Sequence, residues 1–409
     1  MNKQVVVIGA GASGMTAAVF AARQGALVTL LEHTDRVGKK ILSTGNGKCN
    51  LSNMRIEESC YRSSEKDFPM AVISRFGVEE TMEFFKDLGI VIKDRDGYLY
   101  PASGQASAVL DALRLELVRW KVRVVTGCEI NKICDHDGAF KEYKINTSKG
   151  EFTASSLILA AGSMAASATG SDGSGYKLAE SLGLKVIKPL PALVQLRCEE
   201  KFYKQISGVR AEALVTVLAD KKAVAKDRGE MQLTDYGISG IPVFQVSRFA
   251  AKALSEGKKT EAVVDFCPDM TPKHLEEFMA ERCIIQEEKR AEDFLTGWFN
   301  KKLSLLFLKL SGIGEKTPVK ELTEQQRKKL SSCIKEFHTV ITGTNSFENA
   351  QICCGGVDVS QINPETMEAK KKKGLYLIGE LLDVDGICGG YNLQWAWSTG
   401  AIAGTHAGL

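Results

Sequence analysis

Several features are missing from this 409-residue chain, and each absence excludes a class of protein. No run of about 18 apolar residues occurs, so we expect no transmembrane helix and no membrane partner. The sequence enters a strand-like run at once, without a signal-peptide pattern, which predicts a cytoplasmic protein. A net charge of +3, spread along the chain, is too small to favour nucleic-acid binding. These absences leave a small molecule as the expected partner, with a homodimer as the commonest default assembly.

The eleven cysteines lack any C-x-x-C or zinc-type spacing. The sequence therefore predicts reduced thiols and no metal site. Cys353 and Cys354 are adjacent, and we interpret them as two small residues in a buried strand. A redox-active pair is the alternative.

The first 32 residues carry the most informative pattern. A β-branched run leads into a G-x-G-x-x-G sequence, an Ala-rich helical stretch follows, and a second apolar strand ends at Glu32. Gly9 permits a tight turn, Gly11 lets a pyrophosphate approach the backbone, and Gly14 lets the helix pack closely on the strand. The helix N-terminus favours phosphate, and Glu32 is placed to bind an adenosine ribose. The pattern predicts dinucleotide binding; the alternative is a glycine-rich turn in an unrelated α/β domain.

The order of elements predicts an α/β fold with a discontinuous first domain. Helix-like segments at 68–88 and 106–120 and strands at 122–125 and 157–162 follow the opening βαβ unit, and a β-meander with a turn at 135–138 is expected between them. Residues 193–266 are interpreted as strands, and 268–337 as helices with starts at Thr271 and Thr323. We therefore predict a dinucleotide-binding domain of residues 1–190 and 340–409, a β-rich domain of 191–267 with part of 339–360, and a helical subdomain of 268–338.

The C-terminal segment predicts a second half of the same site. Residues 375–378 form a strand that would complete the parallel sheet, and ligands bind beyond the carboxyl ends of such strands. Glu380 is then placed to hold a polyol hydroxyl. Gly389 and Gly390 precede a helix predicted at about 393–403, whose N-terminus would stabilise negative charge on a flavin ring. The alternative is a glycine-rich loop capped by Asn392.

Four segments together resemble one known family. They are the lysine- and glycine-rich loop 39–50, the segment 169–176, the segment 229–240 and the C-terminal segment 379–397. In this order they resemble the HI0933-like flavoproteins, also described as BaiN-like or aminoacetone-oxidase-like FAD enzymes. The resemblance implies non-covalent FAD in a Rossmann-type, glutathione-reductase-like domain, with an inserted β-rich domain and a small helical domain. Asp235 departs from the family motif, which often has His there.

From the motifs and the resemblance we predict which residues contact the cofactor. They are Gly9, Ala10, Gly11, Ser13, Gly14, Glu32, His33, Lys40, Ser43, Gly45, Asn46, Gly47, Lys48, Cys49, Asn50, Ile130, Ala161, Gly162, Gly379, Glu380, Asp383, Gly389, Gly390, Asn392 and Leu393.

The expected chemistry is that of an FAD-dependent oxidoreductase. No second G-x-G-x-x-G lies in a βαβ frame, so NAD(P)H is expected to bind only transiently as electron donor. The family resemblance suggests reduction of an activated C=C bond in a steroid- or bile-acid-like enone. The acid/base candidates by motif are Tyr98, Tyr100, Asp235, Tyr236 and Tyr391, because a tyrosine hydroxyl can protonate an α-carbon after hydride transfer. Of these we predict Tyr236, Asp235 and Tyr391 as the catalytic residues. An oxygen-dependent oxidase of amines or amino-ketones is one alternative, and a flavin-carrying module that binds RNA or protein is another.

Overall fold

The structure, a computed structural model, describes residues 3–135 and 142–409. The chain divides into two compact units, one of Met1–Leu190 with Gln351–Leu409 and one of Pro191–Ala350. The turn predicted at 135–138 lies, except for Asp135, outside the described residues.

The regular elements are numbered in chain order. The strands are β1 Gln4–Ile8, β2 Leu27–Leu31, β3 Ser52–Asn53, β4 Tyr61–Ser63, β5 Ile92–Arg95, β6 Tyr98–Pro101, β7 Arg123–Val125, β8 Ile130–Cys134, β9 Tyr143–Thr147, β10 Gly150–Ala154, β11 Ser156–Leu159, β12 Val186–Ala192, β13 Leu196–Cys198, β14 Arg210–Ala219, β15 Lys222–Leu233, β16 Gly237–Gly240, β17 Thr260–Asp265, β18 Phe337–Thr344, β19 Ile352–Val357, β20 Leu375–Leu377 and β21 Val384–Gly386. The helices are α1 Ala12–Arg23, α2 Lys39–Ser43, α3 Phe68–Ile73, α4 Val78–Asp87, α5 Ala106–Arg119, α6 Ser174–Ser181, α7 Tyr203–Ile206, α8 Ile241–Ser255, α9 Pro272–Ile285, α10 Ala291–Phe294, α11 Lys301–Leu310, α12 Glu324–Lys335 and α13 Tyr391–Gly408.

The first unit is built on a five-stranded parallel sheet in the order β20-β11-β1-β2-β7. The three inner strands are short and almost wholly apolar, as expected for strands covered on both faces. β20 pairs with β11 in parallel, which confirms that the C-terminal strand completes the sheet. The Rossmann-type α/β fold predicted from the sequence is therefore confirmed.

Helix α13 is longer than predicted and packs closely against α1. A Cβ atom added at Gly400, Gly404 or Gly408 would lie 2.4–2.8 Å from a backbone carbonyl oxygen of α1. These three glycines, four residues apart, therefore let the two helix backbones approach each other. The pair of helices brings the first and last segments of the chain together beside the parallel sheet, so both halves of the predicted site depend on this contact.

The helix predicted across residues 68–88 is interrupted. It forms two helices, α3 and α4, separated at Gly77, which caps α4. The backbone N–H of Gly77 donates a hydrogen bond of 2.8 Å to Glu80 Oε2, one half of a capping box. Apolar spacing alone did not reveal this restart, although the Gly-x-x-Glu pattern was available as a signal.

The second unit contains a closed barrel in the order β13-β16-β15-β14-β17-β18. The interpretation of residues 193–266 as strands is wrong for 241–255, which form α8. Pro242 stands in its first turn, and Val243, Val246 and Ala250 are buried at helical spacing. The helical segment that follows lies in the same unit. The predicted helix starts are confirmed, since the side chains of Thr271 and Thr323 cap α9 and α12.

Within residues 3–135 and 142–409, no helix is long and apolar enough to cross a membrane. In the same described ranges, no group of three or more His, Cys, Asp or Glu side chains is arranged to hold a metal ion. Cys353 and Cys354 are both buried in β19, which confirms the interpretation of a buried strand.

Candidate functional site

The turn from β1 into α1 is built by glycines with different roles. Gly9 has a φ of 102°, and a Cβ there would lie 2.3 Å from the carbonyl oxygen of Ala160. A Cβ on Gly14 would lie 1.8 Å from the carbonyl oxygen of Gly9, whereas one on Gly11 would meet nothing within 4 Å. No side chain caps the N-terminus of α1. The turn therefore leaves backbone N–H groups beside an open space at Gly11, as a pyrophosphate site requires.

Glu32 is held in place at the end of β2. Its Oε2 accepts a hydrogen bond of 2.8 Å from the N–H of Ala10, and its Oε1 accepts one of 2.9 Å from the N–H of Thr34. The carboxylate is only 8% exposed, and His33 Nδ1 lies 3.3 Å from Oε1. These bonds fix the side chain before any ligand arrives, so the remaining lone pairs of the carboxylate have a defined direction.

Lys40, Glu380 and Ser163 form a polar cluster beside the sheet. The Nζ atom of Lys40 lies 2.6 Å from Oε2 of Glu380 and 3.3 Å from the carbonyl oxygen of Ala165. The hydroxyl of Ser163 donates a hydrogen bond of 3.0 Å to the same Oε2. The sequence analysis names Lys40 and Glu380 separately but misses their pairing and Ser163, which directly follows the predicted cofactor residues Ala161 and Gly162.

The loop 44–50 has an unusual backbone. Gly45, Asn46, Gly47 and Cys49 all have positive φ values, between 52° and 81°. The N–H groups of Lys48 and Cys49 donate to the carbonyl oxygens of Gly45 and Thr44, at 3.1 Å each, so hydrogen bonds within the loop hold this backbone. The loop ends at Asn50, whose Oδ1 atom is buried and has no hydrogen-bond partner within the described residues. A buried acceptor without a donor indicates a missing ligand or water at this position.

Other predicted residues of this loop are placed differently. Ser43 and Lys48 are exposed, and the hydroxyl of Ser43 donates to the carbonyl oxygen of Lys40 at 2.8 Å. Cys49 is fully buried, and burial raises the pKa of its thiol to about 11. The Cys49 thiol is therefore protonated at neutral pH and acts as a small apolar group.

Among the residues that the structure describes, no side chain caps the N-terminus of α13. Gly390 is its N-cap, with a φ of 96°, and a Cβ there would lie 2.6 Å from the carbonyl oxygen of Ser52 and 2.9 Å from Asn50 Oδ1. The Asn392 side chain instead bonds to the N–H and C=O of Gly386, at 2.8 and 3.0 Å. Asn392 therefore holds the glycine-rich loop, as in the alternative interpretation, and the positive end of α13 stays available to a ligand.

The remaining predicted cofactor residues occupy mixed positions. Asp383 is buried with both carboxylate oxygens accepting backbone N–H bonds, from Gly355 at 3.1 Å and Ser64 at 2.9 Å, so its position indicates a structural tether. Gly379 faces Ser13, because a Cβ there would lie 2.5 Å from the serine hydroxyl oxygen. Gly162 follows β11, Ile130 begins β8, and Leu393 lies in the first turn of α13.

The three candidate acid/base residues lie in different units. Tyr391 belongs to the first unit, is 6% exposed and contacts the Cys60 thiol, and its pKa is raised by burial. Asp235 and Tyr236 lie between β15 and β16 of the second unit. Asp235 is exposed, whereas the hydroxyl of Tyr236 accepts a hydrogen bond of 3.0 Å from Asn345 Nδ2.

Taken together, these residues of the first unit fit FAD. The open space at Gly11 beside the uncapped α1 suits a pyrophosphate, and Glu32 suits an adenosine ribose. The unpartnered Asn50 Oδ1 and the uncapped α13 lie next to each other at Gly390. These hydrogen-bond donors and acceptors of the protein therefore match the groups of a dinucleotide that carries a second polar ring system.

Comparison with known proteins agrees with this geometry. The family described as HI0933-like protein Rossmann domain matches residues 3–406. The 3-dehydro-bile acid delta(4,6)-reductase of Clostridium scindens is 45% identical over 409 residues, covering 100% of this chain and 99% of that protein. The ribosomal RNA dihydrouridine synthase of Haemophilus influenzae is 28% identical over 96% of each chain.

A solved structure shares the fold at much lower sequence identity. The 3-ketosteroid delta1-dehydrogenase of Sterolibacterium denitrificans, in complex with 1,4-androstadiene-3,17-dione, matches with a TM-score of 0.53 at 12% identity, covering 99% of each chain.

Proposed function

The chain belongs to the HI0933-like family of Rossmann-type flavin oxidoreductases, and on this premise we propose that it reduces an activated C=C bond of a steroid- or bile-acid-like enone, using FAD and electrons from NAD(P)H. Identity of 45% over the full length to a 3-dehydro-bile acid delta(4,6)-reductase is the single observation that carries the substrate class. That relative's name refers to a 3-oxo steroid acid with ring double bonds, so we expect a related, largely apolar enone here.

The residues proposed to hold FAD each have one task. The N–H groups at the start of α1 bind the pyrophosphate, and Glu32 accepts hydrogen bonds from the adenosine ribose. Lys40 and Glu380 hold the polyol chain between them, since Glu380 Oε1 lies outside the ion pair that Oε2 makes. The N-terminus of α13 stabilises negative charge on the flavin ring. When bound, FAD supplies hydride transfer, and the protein supplies position and electrostatics.

The proposal of a transient nicotinamide donor has a separate basis. The chain has one G-x-G-x-x-G in a βαβ frame, and that frame is assigned to FAD. NAD(P)H therefore has no dedicated Rossmann domain and binds only long enough to transfer its hydride. This arrangement predicts weak nucleotide affinity in the absence of electron transfer.

An anaerobic experiment tests both parts. The purified protein is mixed under argon with NADH and then NADPH, and the visible band of oxidised flavin is followed. A 3-oxo-Δ4 bile acid is then supplied with excess donor, and the product is identified by mass spectrometry. Loss of the band and a product two hydrogens heavier support the proposal. A band that neither nucleotide bleaches, or an enone that stays unreduced while the flavin turns over, contradicts it.

One rival function has an observation of its own. A 28% identical relative is a ribosomal RNA dihydrouridine synthase, and this likeness favours an RNA substrate as the rival. The net charge of +3 and the lower identity favour the small-molecule substrate. A salt-sensitive gel shift with ribosomal RNA would support the rival function. Hydrogen peroxide formed with a panel of amines would instead support the oxidase alternative.

A further inference from the structure

We propose that Tyr98 is the catalytic proton donor of the reduction, delivering its hydroxyl proton to the α-carbon of the enone. This inference rests on the proposed function, because it assigns a role within that reaction. It selects Tyr98 from the acid/base candidates that the sequence offers, in place of the predicted Tyr236, Asp235 and Tyr391.

Tyr98 lies beside the uncapped end of α13. Strand β6 alternates between exposed and buried positions, so that Tyr98 and Tyr100 share one face and Leu99 points into the core. A Cβ added to Gly389 would lie 2.9 Å from Cε1 of Tyr98, so the phenol ring packs directly on this glycine. Gly389 immediately precedes the N-cap of α13, where the flavin ring is proposed to lie. Tyr98 therefore stands at the ring end of the cofactor site.

The contact between Tyr98 and the glycine loop is fixed by the backbone around it. Asn53 of β3 is the register partner of Tyr98, and the Nδ2 atom of Asn53 donates a hydrogen bond of 3.1 Å to the carbonyl oxygen of Gly389. Strand β6 also pairs with β5, from Ile92 opposite Pro101 to Arg95 opposite Tyr98. This hairpin supports β6 from its other side. The phenol is thus positioned by regular structure and by a side-chain hydrogen bond to the loop it contacts.

The hydroxyl of Tyr98 is available for chemistry. The residue is 42% exposed, and its hydroxyl has no hydrogen-bond partner in the part of the chain that the structure describes. Exposure allows a proton lost to substrate to be replaced from water. A general acid must reach the substrate with a free O–H group, and Tyr98 meets that requirement.

The neighbouring tyrosines do not meet this requirement of a free hydroxyl group. The hydroxyl of Tyr61 donates to the carbonyl oxygen of Tyr391 at 3.0 Å, and burial raises the pKa of both phenols. The side chain of Tyr391 also forms a hydrogen bond with the Cys60 thiol. Tyr100 is half-buried, and burial raises its pKa too. Each of these three hydroxyls is a weaker acid than an exposed phenol, or is already committed to a partner.

Reduction of the enone adds a hydride to its β-carbon and a proton to its α-carbon. Two electrons and one hydrogen reach the β-carbon as hydride, which FAD reduced by NAD(P)H supplies. The C=C π bond breaks, and its electron pair moves toward the α-carbon and the carbonyl oxygen. The Tyr98 O–H bond breaks, its proton forms the new C–H bond at the α-carbon, and the phenolate left behind takes a proton from water. The substrate gains two hydrogens in total.

The test separates the two half-reactions in Tyr98→Phe holoenzyme. Reduction of the flavin by NAD(P)H should be unchanged, whereas reoxidation by a 3-oxo-Δ4 bile acid under argon should slow by about 100-fold or more. Tyr100→Phe, on the same face of the same strand, should slow reoxidation by no more than about threefold. The thermal midpoint of Tyr98→Phe should match the wild type, since no hydrogen bond within the protein is lost.

A second readout is independent of turnover. Tyrosine in contact with a flavin ring quenches its fluorescence by electron transfer, and phenylalanine does not. The flavin fluorescence of Tyr98→Phe should therefore exceed that of the wild type, and Tyr100→Phe should change it less. Equal fluorescence in the wild type and Tyr98→Phe would overturn the placement of Tyr98 at the ring.

The outcomes distinguish this inference from the proposed function. If the enone reoxidises wild type and Tyr98→Phe at the same rate, the proton-donor role is overturned and the proposed function stands. If the enone fails to reoxidise the wild type, the proposed function is overturned, and the proton-donor role with it. Slow reoxidation confined to Tyr98→Phe, with higher fluorescence, supports the inference.

Discussion

The Nζ atom of Lys40 lies 2.6 Å from Oε2 of Glu380, although the two residues are separated by 340 positions in the chain. Both side chains are about one-fifth exposed, and Ser163 donates to the same carboxylate oxygen. The ion pair ties the loop after β2 to the segment after β20. It thereby joins the two halves of the proposed FAD site that the sequence presents at opposite ends.

Glu380→Gln should weaken FAD binding, because an amide replaces the carboxylate that is proposed to hold the polyol chain. The substitution removes the partner of Lys40 and leaves a half-buried cation, at a cost of about 1–3 kcal/mol. We expect the FAD dissociation constant to rise by roughly tenfold or more. The measurement is titration of apoprotein with FAD, followed by the quenching of flavin fluorescence. An unchanged dissociation constant would remove Glu380 from the site.

Gly11→Ala and Gly14→Ala form a matched pair. A Cβ on Gly11 meets open space, so the variant should fold like the wild type but lose FAD affinity by about tenfold or more, because the methyl group obstructs the pyrophosphate. A Cβ on Gly14 would lie 1.8 Å from the carbonyl oxygen of Gly9, so this variant should be strongly destabilised. Thermal unfolding and FAD titration separate the two effects. Wild-type FAD affinity in Gly11→Ala would contradict the assignment.

Glu116 should contribute stability that disappears in acid. Burial on its own raises the pKa of this carboxyl, but hydrogen bonds from Arg23 and Trp120, at 2.9 and 2.8 Å, outweigh burial, and the net pKa is lowered. A lowered folded-state pKa stabilises the protein above the unfolded value of about 4.3, and this stability is lost as the pH falls through the folded value.

Glu116→Gln should therefore cost about 1–3 kcal/mol at neutral pH and progressively less as the pH falls below about 4.3. Urea unfolding at several pH values measures the difference. Glu180→Gln, at an exposed position of α6, serves as the control and should change stability little at any pH. A penalty for Glu116→Gln that does not shrink in acid would contradict the argument.

Cys353 and Cys354 should behave as inert thiols. Consecutive residues of a strand point to opposite faces, so the two side chains of β19 do not face each other. Both residues are at most 6% exposed, and burial raises the pKa of the Cys353 thiol. In native protein at pH 8 we expect iodoacetamide to modify the half-buried Cys134 and Cys388 well before this pair.

Mass spectrometry of the peptides measures the order of modification, and denatured protein, in which every thiol reacts, is the control. Rapid native modification of Cys353, or its crosslinking to Cys354 by a trivalent arsenical that binds two thiols, would restore the redox alternative.

The parallel sheet and the glycine turn could be predicted from sequence because their causes are local. The apolar run before Gly9, the spacing to Glu32 and the strand at 375–377 each reflect a direct requirement of backbone geometry. The helix starts at Thr271 and Thr323 were found for the same reason, since a cap is a contact within a few residues.

The features that were missed depend on distant contacts or on weaker signals. The Lys40–Glu380 pair and Ser163 meet only after the sheet has formed, so no local pattern records them. Helix α8 was interpreted as strand because the surrounding barrel strands dominated the pattern, although Pro242 marked its start.

The most direct test of the central claim is a single-turnover experiment under argon. The flavin of the purified protein is reduced with one equivalent of the better nucleotide donor and mixed with a 3-oxo-Δ4 bile acid in a stopped-flow instrument. We predict that the oxidised flavin band returns in step with formation of one equivalent of saturated product. A band that returns only on admission of oxygen, with no saturated product, would contradict the assignment as an enone reductase.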